Sequence, residues 1–122
     1  MALAAVIPLP VQPDPPLPAP QRARGVGRLT VRHEDGATRL VELFQEGSAK
    51  LRLPRARADA VEAVMINSGG GMTGGDRFSW TIYVGDSAAA VLTTQACEKV
   101  YRAQAGEAVV ATRLVVGAGA RL

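Results

Sequence analysis

The chain has 122 residues, 48% of them apolar and 20% charged, which suits one globular domain and excludes wholesale disorder. Its net charge of +3 is spread over arginines that mostly alternate with apolar residues. That pattern is typical of the solvent face of strands, so we expect no nucleic-acid partner. One cysteine, Cys97, excludes an internal disulfide, and one histidine, His33, cannot form a metal site alone. No apolar stretch approaches the ~20 residues that cross a membrane, so we expect a cytoplasmic protein without a membrane partner.

Residues 1–24 form a proline-rich leader that we expect to be disordered. Seven of the eight prolines fall between Pro8 and Pro20, and proline fixes φ and removes a backbone donor. The apolar start lacks a positive region and is interrupted by prolines, so it is a poor signal peptide. The leader also has P-x-x-P spacings that SH3-like domains recognise, but a plain leader is the simpler interpretation.

Residues 25–122 read as consecutive strands and predict an all-β fold of antiparallel strands and hairpins, with at most short helices. Asp35-Gly36 is a hairpin signal between two alternating runs. "RARADAVEAV" is compatible with a short helix, whereas "AVMIN" after it favours a strand. The clearest strand is "RFSWTIYV", in which Phe78, Trp80, Ile82 and Val84 share one face. "AAVLTT" and "AVVATRLVV" supply two more.

The stretch "NSGGGMTGGD" carries the spacing G-x-G-x-x-G that is typical of dinucleotide-binding folds. Such a site needs a helix after the glycines, because the pyrophosphate sits on the helix N-terminus. Here "RFSWTIYV" follows, and its alternation and β-branched and aromatic residues favour a strand. A P-loop is excluded because no Gly-Lys-Ser/Thr follows. The sequence therefore argues against a nucleotide-dependent enzyme.

The number of glycines in this stretch still requires a cause. A hairpin needs one or two, so we expect an unusual backbone path packed under another segment or subunit. Asp76 closes the stretch, and we expect it either to cap backbone N–H groups or to line a polar passage or partner surface. The structural glycines are Gly69, Gly70, Gly71, Gly74 and Gly75.

A second dense stretch is "LTTQACEKVYRA", which ends a strand and then places charges and hydroxyls close together. Glu98 and Arg102 have the i, i+4 spacing of an ion pair if the stretch forms a helical turn. It is either a surface turn or a site on the rim of the sheet. No histidine lies near Cys97 in sequence, so a nucleophilic thiol is not expected.

Together the two stretches resemble the urease accessory protein UreD family, called UreH in some species. That family has a stretch close to N-T-A-G-G-L-T-G-G-D, then a strand, then L-T-T-x-x-x-x-K-V-Y-R. The resemblance covers about Gly25 to Leu122. The matching residues are Asn67, Gly70, Gly71, Thr73, Gly74, Gly75, Asp76, Thr93, Thr94, Lys99, Val100, Tyr101 and Arg102.

The resemblance implies a non-enzymatic chaperone with a β-rich fold that binds apo-urease and docks UreF, which recruits the GTPase UreG. Nickel would pass through the complex into urease, without a stably bound cofactor in this chain and without a confidently assigned metal ligand. No catalytic residue is expected. The candidates for the partner surface or nickel passage are Asp76, Thr93, Thr94, Glu98, Lys99, Tyr101 and Arg102.

The chain departs from the family in length, since UreD proteins run to more than twice this folded portion. We therefore expect residues 25–122 to be the N-terminal portion of a UreD-like β domain, apparently truncated, with an unpaired edge and an uncovered apolar face. The alternative is a non-functional remnant or a stand-alone β interaction module without nickel delivery.

Overall fold

The computed structural model describes residues 21–54, 59–95 and 97–122. Most of the proline-rich leader, and the "RARA" part of the segment considered as a helix, lie outside these residues. Seven strands form, and no helix occurs among the described residues. The strands are β1 (Arg24–Glu34), β2 (Ala37–Gly47), β3 (Ala49–Arg52), β4 (Val61–Asn67), β5 (Arg77–Val84), β6 (Ala90–Thr94) and β7 (Val109–Val116).

The strands form two sheets, with the order β2-β1-β5-β7 in one and β3-β4-β6 in the other. The all-β prediction is confirmed. The expectation of antiparallel pairing throughout is wrong, because only β1–β2 and β3–β4 are antiparallel. The pairs β1–β5, β5–β7 and β4–β6 are parallel. Parallel neighbours need a crossover connection. In the described parts of the chain each crossover runs through a strand of the other sheet and contains no helix.

From β4 onward the chain alternates between the sheets. β4 and β6 lie side by side in the three-stranded sheet, while β5 and β7 lie side by side in the four-stranded sheet. Each pair of consecutive strands therefore forms one turn of a flat coil, stacked on the preceding turn. We call β4–β7 the two-sheet coil. Its stacking brings the β4–β5 and β6–β7 connections to the same end of the molecule.

The predicted hairpin forms at Asp35-Gly36, where both residues have positive φ, +51° and +75°. Positive φ at both central residues is the geometry that matches the twist of a two-residue hairpin. β1 and β2 pair over most of their length, with a register shift between Thr30 and Val31. This hairpin supplies the long outer edge of the four-stranded sheet.

The core lies between the two sheets. The predicted inward face of "RFSWTIYV" is confirmed, since Phe78, Trp80, Ile82 and Val84 are all buried. They pack in one cluster with side chains of β1, β3 and β4, which include Leu29, Val31, Leu51, Val61 and Ala63. Burial of these aliphatic and aromatic groups supplies the main driving force for folding.

Thr38 provides a polar link between the sheets. It is buried, and its hydroxyl accepts a hydrogen bond from the Ala89 backbone N–H at 3.0 Å. The same hydroxyl donates to the Asp59 carbonyl at 3.4 Å. The described part of the chain contains no helix able to span a membrane.

Candidate functional site

Two connections at one end of the two-sheet coil form the candidate site. The first joins β4 to β5 and is called the glycine loop (residues 67–76). The second lies between β6 and β7 and is called the cover segment (residues 97–108). They meet because they are the corresponding crossovers of successive turns of the coil.

Backbone hydrogen bonds join the glycine loop to the cover segment. The Met72 N–H donates to the Lys99 carbonyl at 2.8 Å, and the Tyr101 N–H donates to the Met72 carbonyl at 2.8 Å. Further along, the Gly75 N–H donates to the Glu107 carbonyl at 2.9 Å. Met72 and Val100 form a parallel β-bridge. The cover segment is therefore hydrogen-bonded to the glycine loop at several points along the loop.

Two glycines explain why the loop needs residues without side chains. A Cβ on Gly71 would lie 2.6 Å from Tyr101 Cε2 and 2.8 Å from the Lys99 carbonyl oxygen, and its φ is +137°. A Cβ on Gly74 would lie 2.6 Å from the Ala105 carbonyl oxygen. Both contacts are closer than a methyl group allows, and a positive φ disfavours L-residues at Gly71. The expectation that the loop packs under another segment is confirmed, and that segment belongs to the same chain.

Asp76 fixes the end of the glycine loop. Its side chain is 3% exposed, and each carboxylate oxygen accepts one backbone hydrogen bond. Oδ1 accepts from the Ala23 N–H at 2.8 Å, and Oδ2 accepts from the Thr73 N–H at 2.9 Å. The capping role expected for Asp76 is therefore confirmed. Both oxygens face backbone donors of the protein itself, which makes Asp76 a positioning residue in this structure.

Asn67 connects the loop to the cover segment through its side chain. Its Nδ2 donates to the Gly71 carbonyl at 3.0 Å and to Glu98 Oε1 at 2.9 Å. Its Oδ1 accepts from the Gly69 N–H at 2.8 Å, which closes a turn at the start of the glycine run. Glu98 is thereby held beside the loop by a hydrogen bond to a neutral amide.

A cleft of about 270 Å³ opens beside this contact. Its walls combine amide, carboxylate, ammonium and sulfur groups. They come from Met65, Asn67, Gly70, Gln95, Cys97, Glu98 and Lys99. The acidic Glu98 and basic Lys99 stand next to each other at its rim, and both are exposed.

The other predicted site residues surround this cleft at different depths. Thr94 lines a neighbouring cleft of about 90 Å³ that also includes Glu98. Thr93 lies on the other face of β6 from Thr94 and is exposed. Its hydroxyl donates a hydrogen bond to the Thr94 carbonyl at 3.3 Å. Tyr101 is 54% exposed and covers Gly71 with its ring edge. The Arg102 carbonyl accepts from the Thr73 hydroxyl at 3.4 Å, and Arg102 is exposed.

The helical turn considered for "CEKVYR" does not form. Val100 lies in the bridge to Met72, and the Lys99 carbonyl and Tyr101 N–H are used by the loop, so this backbone is extended. Glu98 contacts Asn67 instead of following the i, i+4 pattern with Arg102. A strand follows the glycines, as expected, so the helix N-terminus that a dinucleotide site requires is missing there.

Four residues that line the cleft are not among the site candidates selected from the sequence: Met65, Asn67, Gln95 and Cys97. An asparagine directly before a glycine run is a recognisable turn signal, so Asn67 was accessible from sequence. Met65 gave no such signal, because it reads as one apolar position of a strand. Among residues 21–54, 59–95 and 97–122, no group of three metal-ligating side chains lies together.

These features define the class of protein as an all-β scaffold, in which two crossovers of a two-sheet coil build a small polar cleft. The family model described as UreD urease accessory protein matches residues 23–122. The chain therefore belongs to the UreD family.

Curated relatives show the same relationship. The chain is 57% identical over 103 residues to the urease accessory protein UreD of Rhizobium rhizogenes, a match that covers 84% of this chain and 38% of the relative. It is 50% identical over 102 residues to urease accessory protein UreD 1 of Brucella anthropi, covering 84% and 36%. For UreD of Brucella suis the identity is 51% over 102 residues, covering 84% and 37%. The chain thus spans less than two fifths of the length of these relatives.

Replacing Asp76 by asparagine tests its positioning role. Asp76→Asn keeps the shape but presents an NH₂ group to one of two backbone donors, so one buried N–H loses its acceptor. We expect the free energy of unfolding to fall by about 1–3 kcal/mol, measured by urea denaturation. Asp35→Asn is the matched control, because Asp35 is exposed in a turn that asparagine tolerates. Equal stability of the two variants would contradict the role assigned to Asp76.

Proposed function

We propose that this chain acts in urease maturation as a non-catalytic accessory protein that binds apo-urease and docks UreF with the GTPase UreG. The observation that carries the proposal is the family match over residues 23–122. The names of the relatives state an accessory role for urease. The partners, the delivery of nickel and a cytoplasmic location are our extension of that role to this chain.

The cleft beside Asn67 is the part of the chain that we assign to nickel handling. Glu98 lies in it, and carboxylate oxygen is a ligand that divalent metals accept. In the described contacts Asn67 donates a hydrogen bond to only one carboxylate oxygen of Glu98, Oε1. A single carboxylate with few neighbouring ligands favours brief contacts over stable binding. We therefore propose a passage wall, with no cofactor held permanently.

The remaining candidates divide into two roles by their position relative to the clefts. Thr93, Lys99, Tyr101 and Arg102 are exposed around the cleft and are available to a partner protein. Thr94 lines the adjoining cleft and would extend the polar route. Asp76 is buried under the loop, so we propose that it acts on nickel transfer only by holding the loop and cover segment in place.

Co-purification tests the partner proposal. The tagged chain is expressed with apo-urease, UreF and UreG, and the eluate is scored for each protein. We expect urease and UreF to be retained with the chain, because the candidate partner residues lie on its exposed surface. Recovery of the soluble chain alone would contradict the proposal and favour the stand-alone interaction module.

The nickel proposal is tested on the urease that co-purifies. Glu98→Gln keeps the hydrogen-bond acceptor for Asn67 but removes the charge, so we expect the nickel content per urease to fall several-fold. Glu34→Gln is the matched control, since Glu34 is an exposed glutamate at the far end of β1. An unchanged nickel content in Glu98→Gln, with partners retained, would refute the role of Glu98 and leave docking intact.

A further inference from the structure

The outer face of the four-stranded sheet carries charge of one sign over three of its strands. Arg77 begins β5 next to the buried Phe78, so its side chain points away from the core. In the paired stretches of β1, β5 and β7, the charged residues that share this outer face are Arg24, Arg28, Arg77 and Arg113. No aspartate or glutamate lies on the outer face of these paired stretches.

One of these arginines already has partners within the chain. The Arg28 Nε lies 3.4 Å from Glu42 Oε1, and its guanidinium lies 4.1 Å from the centre of the Phe44 ring. The other three are exposed, and no acidic side chain of the described residues forms an ion pair with them. We call these three the arginine face; they are Arg24, Arg77 and Arg113.

The register places two members of the arginine face side by side. Arg24 of β1 is the direct partner of Arg77 of β5, on strands that lie about 4.8 Å apart. Like charges directly opposite one another destabilise a sheet. Arg113 lies on the other side of β5, in register with Thr81. The fold therefore keeps a repulsive pair on its surface, and carboxylates bound there would relieve the repulsion.

The three-stranded sheet provides a contrast within the same molecule. Its outward positions carry both signs of charge, with Lys50 and Arg52 on β3 and Glu62 on β4. Interspersed charges of both signs are what a merely solvated surface needs. The one-sided charge is therefore a local property of the arginine face and does not follow from the net charge of the chain.

The surroundings of the arginine face favour a protein partner over a nucleic acid. Tyr83 lies on the same outer face and is 38% exposed, and tyrosine and arginine are the residue types enriched at the energetic centres of protein interfaces. Along the neighbouring β2, Glu42 and Glu46 are in register with Thr30 and Val26. These two glutamates border the face and would repel a phosphate backbone that crossed the sheet.

We propose that the arginine face binds an acidic surface of another protein. Charge complementarity selects such a partner, and each planar guanidinium presents paired N–H donors that match a carboxylate. Residues 1–20 contain one acidic residue, Asp14, so they do not supply the occupant. The face lies on the strands of the four-stranded sheet, whereas the cleft beside Asn67 lies between two connections. This site is therefore separate from the one assigned to nickel handling.

The experiment titrates the full chain against fluorescein-labelled poly-L-glutamate and measures binding by fluorescence anisotropy. We expect saturable binding that weakens as the salt concentration rises, because salt screens exposed charges. No binding at low salt would overturn the proposal. Tighter binding of duplex DNA than of poly-L-glutamate at the same salt would overturn it in favour of a nucleic acid. A dimer of the chain alone that Arg77→Glu dissociates would overturn it in favour of a second copy.

Charge reversals distinguish the arginine face from the net charge of the chain. For Arg77→Glu we expect at least about tenfold weaker binding of poly-L-glutamate, because a like charge then faces the ligand. Arg52→Glu is the matched control, since it changes the net charge equally at an exposed arginine of the three-stranded sheet, and it should bind nearly as the unmodified chain does. Arg113→Glu is the second variant on the face if Arg77→Glu does not fold. Equal weakening by face and control variants would overturn the proposal. The assay contains no urease, UreF or UreG, so its outcome is separate from that of the proposed function.

Discussion

The buried carboxylate of Asp76 is the interaction on which this end of the molecule depends. The carboxylate accepts hydrogen bonds from the N–H groups of Ala23 and Thr73. The backbone adds two more: the Asp76 carbonyl accepts from the Val109 N–H at 2.9 Å, and the Arg77 N–H donates to the Ala23 carbonyl at 3.0 Å. The starts of β1, β5 and β7 are therefore tied together at one position. A buried carboxylate is tolerated only when hydrogen-bonded, so this arrangement is selective for its geometry. The first residues of three parallel strands thus meet around Asp76, through its carboxylate at β1 and through its backbone carbonyl at β7.

The candidate site follows from that constraint. Once β5 and β7 begin together, the glycine loop and the cover segment must cross the same end of the coil, one against the other. The missing side chains at Gly71 and Gly74 allow the backbones to approach, and Asn67 then holds Glu98 beside the loop. The polar cleft is thus a product of backbone packing. The charged groups of the cleft, Glu98 and Lys99, in contrast, are exposed at its rim.

The sequence predicted local structure well and pairing poorly. The alternation in "RFSWTIYV" and the Asp35-Gly36 turn are local signals, and both gave the observed elements. Parallel pairing was missed because alternating side chains are typical of antiparallel sheets with one solvated face. Here the parallel strand β5 also has one buried face and one largely open face, so it shows the same alternation. The partner of the glycine loop was not identifiable for a related reason. Gly71 and Lys99 are far apart in sequence, and only the stacking of two coil turns brings them together. The resemblance to the UreD family, which composition and spacing alone did not reveal, is the basis of the proposed function.

The glycine loop and the cover segment form one ordered unit at the end of the coil. Amide hydrogen exchange of the intact chain, read at Met72 and Tyr101, tests it most directly, since these two N–H groups make the hydrogen bonds that join the segments. We predict that both amides exchange far more slowly than those of an unstructured peptide, although Tyr101 is an exposed residue. Exchange at the unstructured rate would contradict it, because the cleft around Glu98 would then have no fixed geometry.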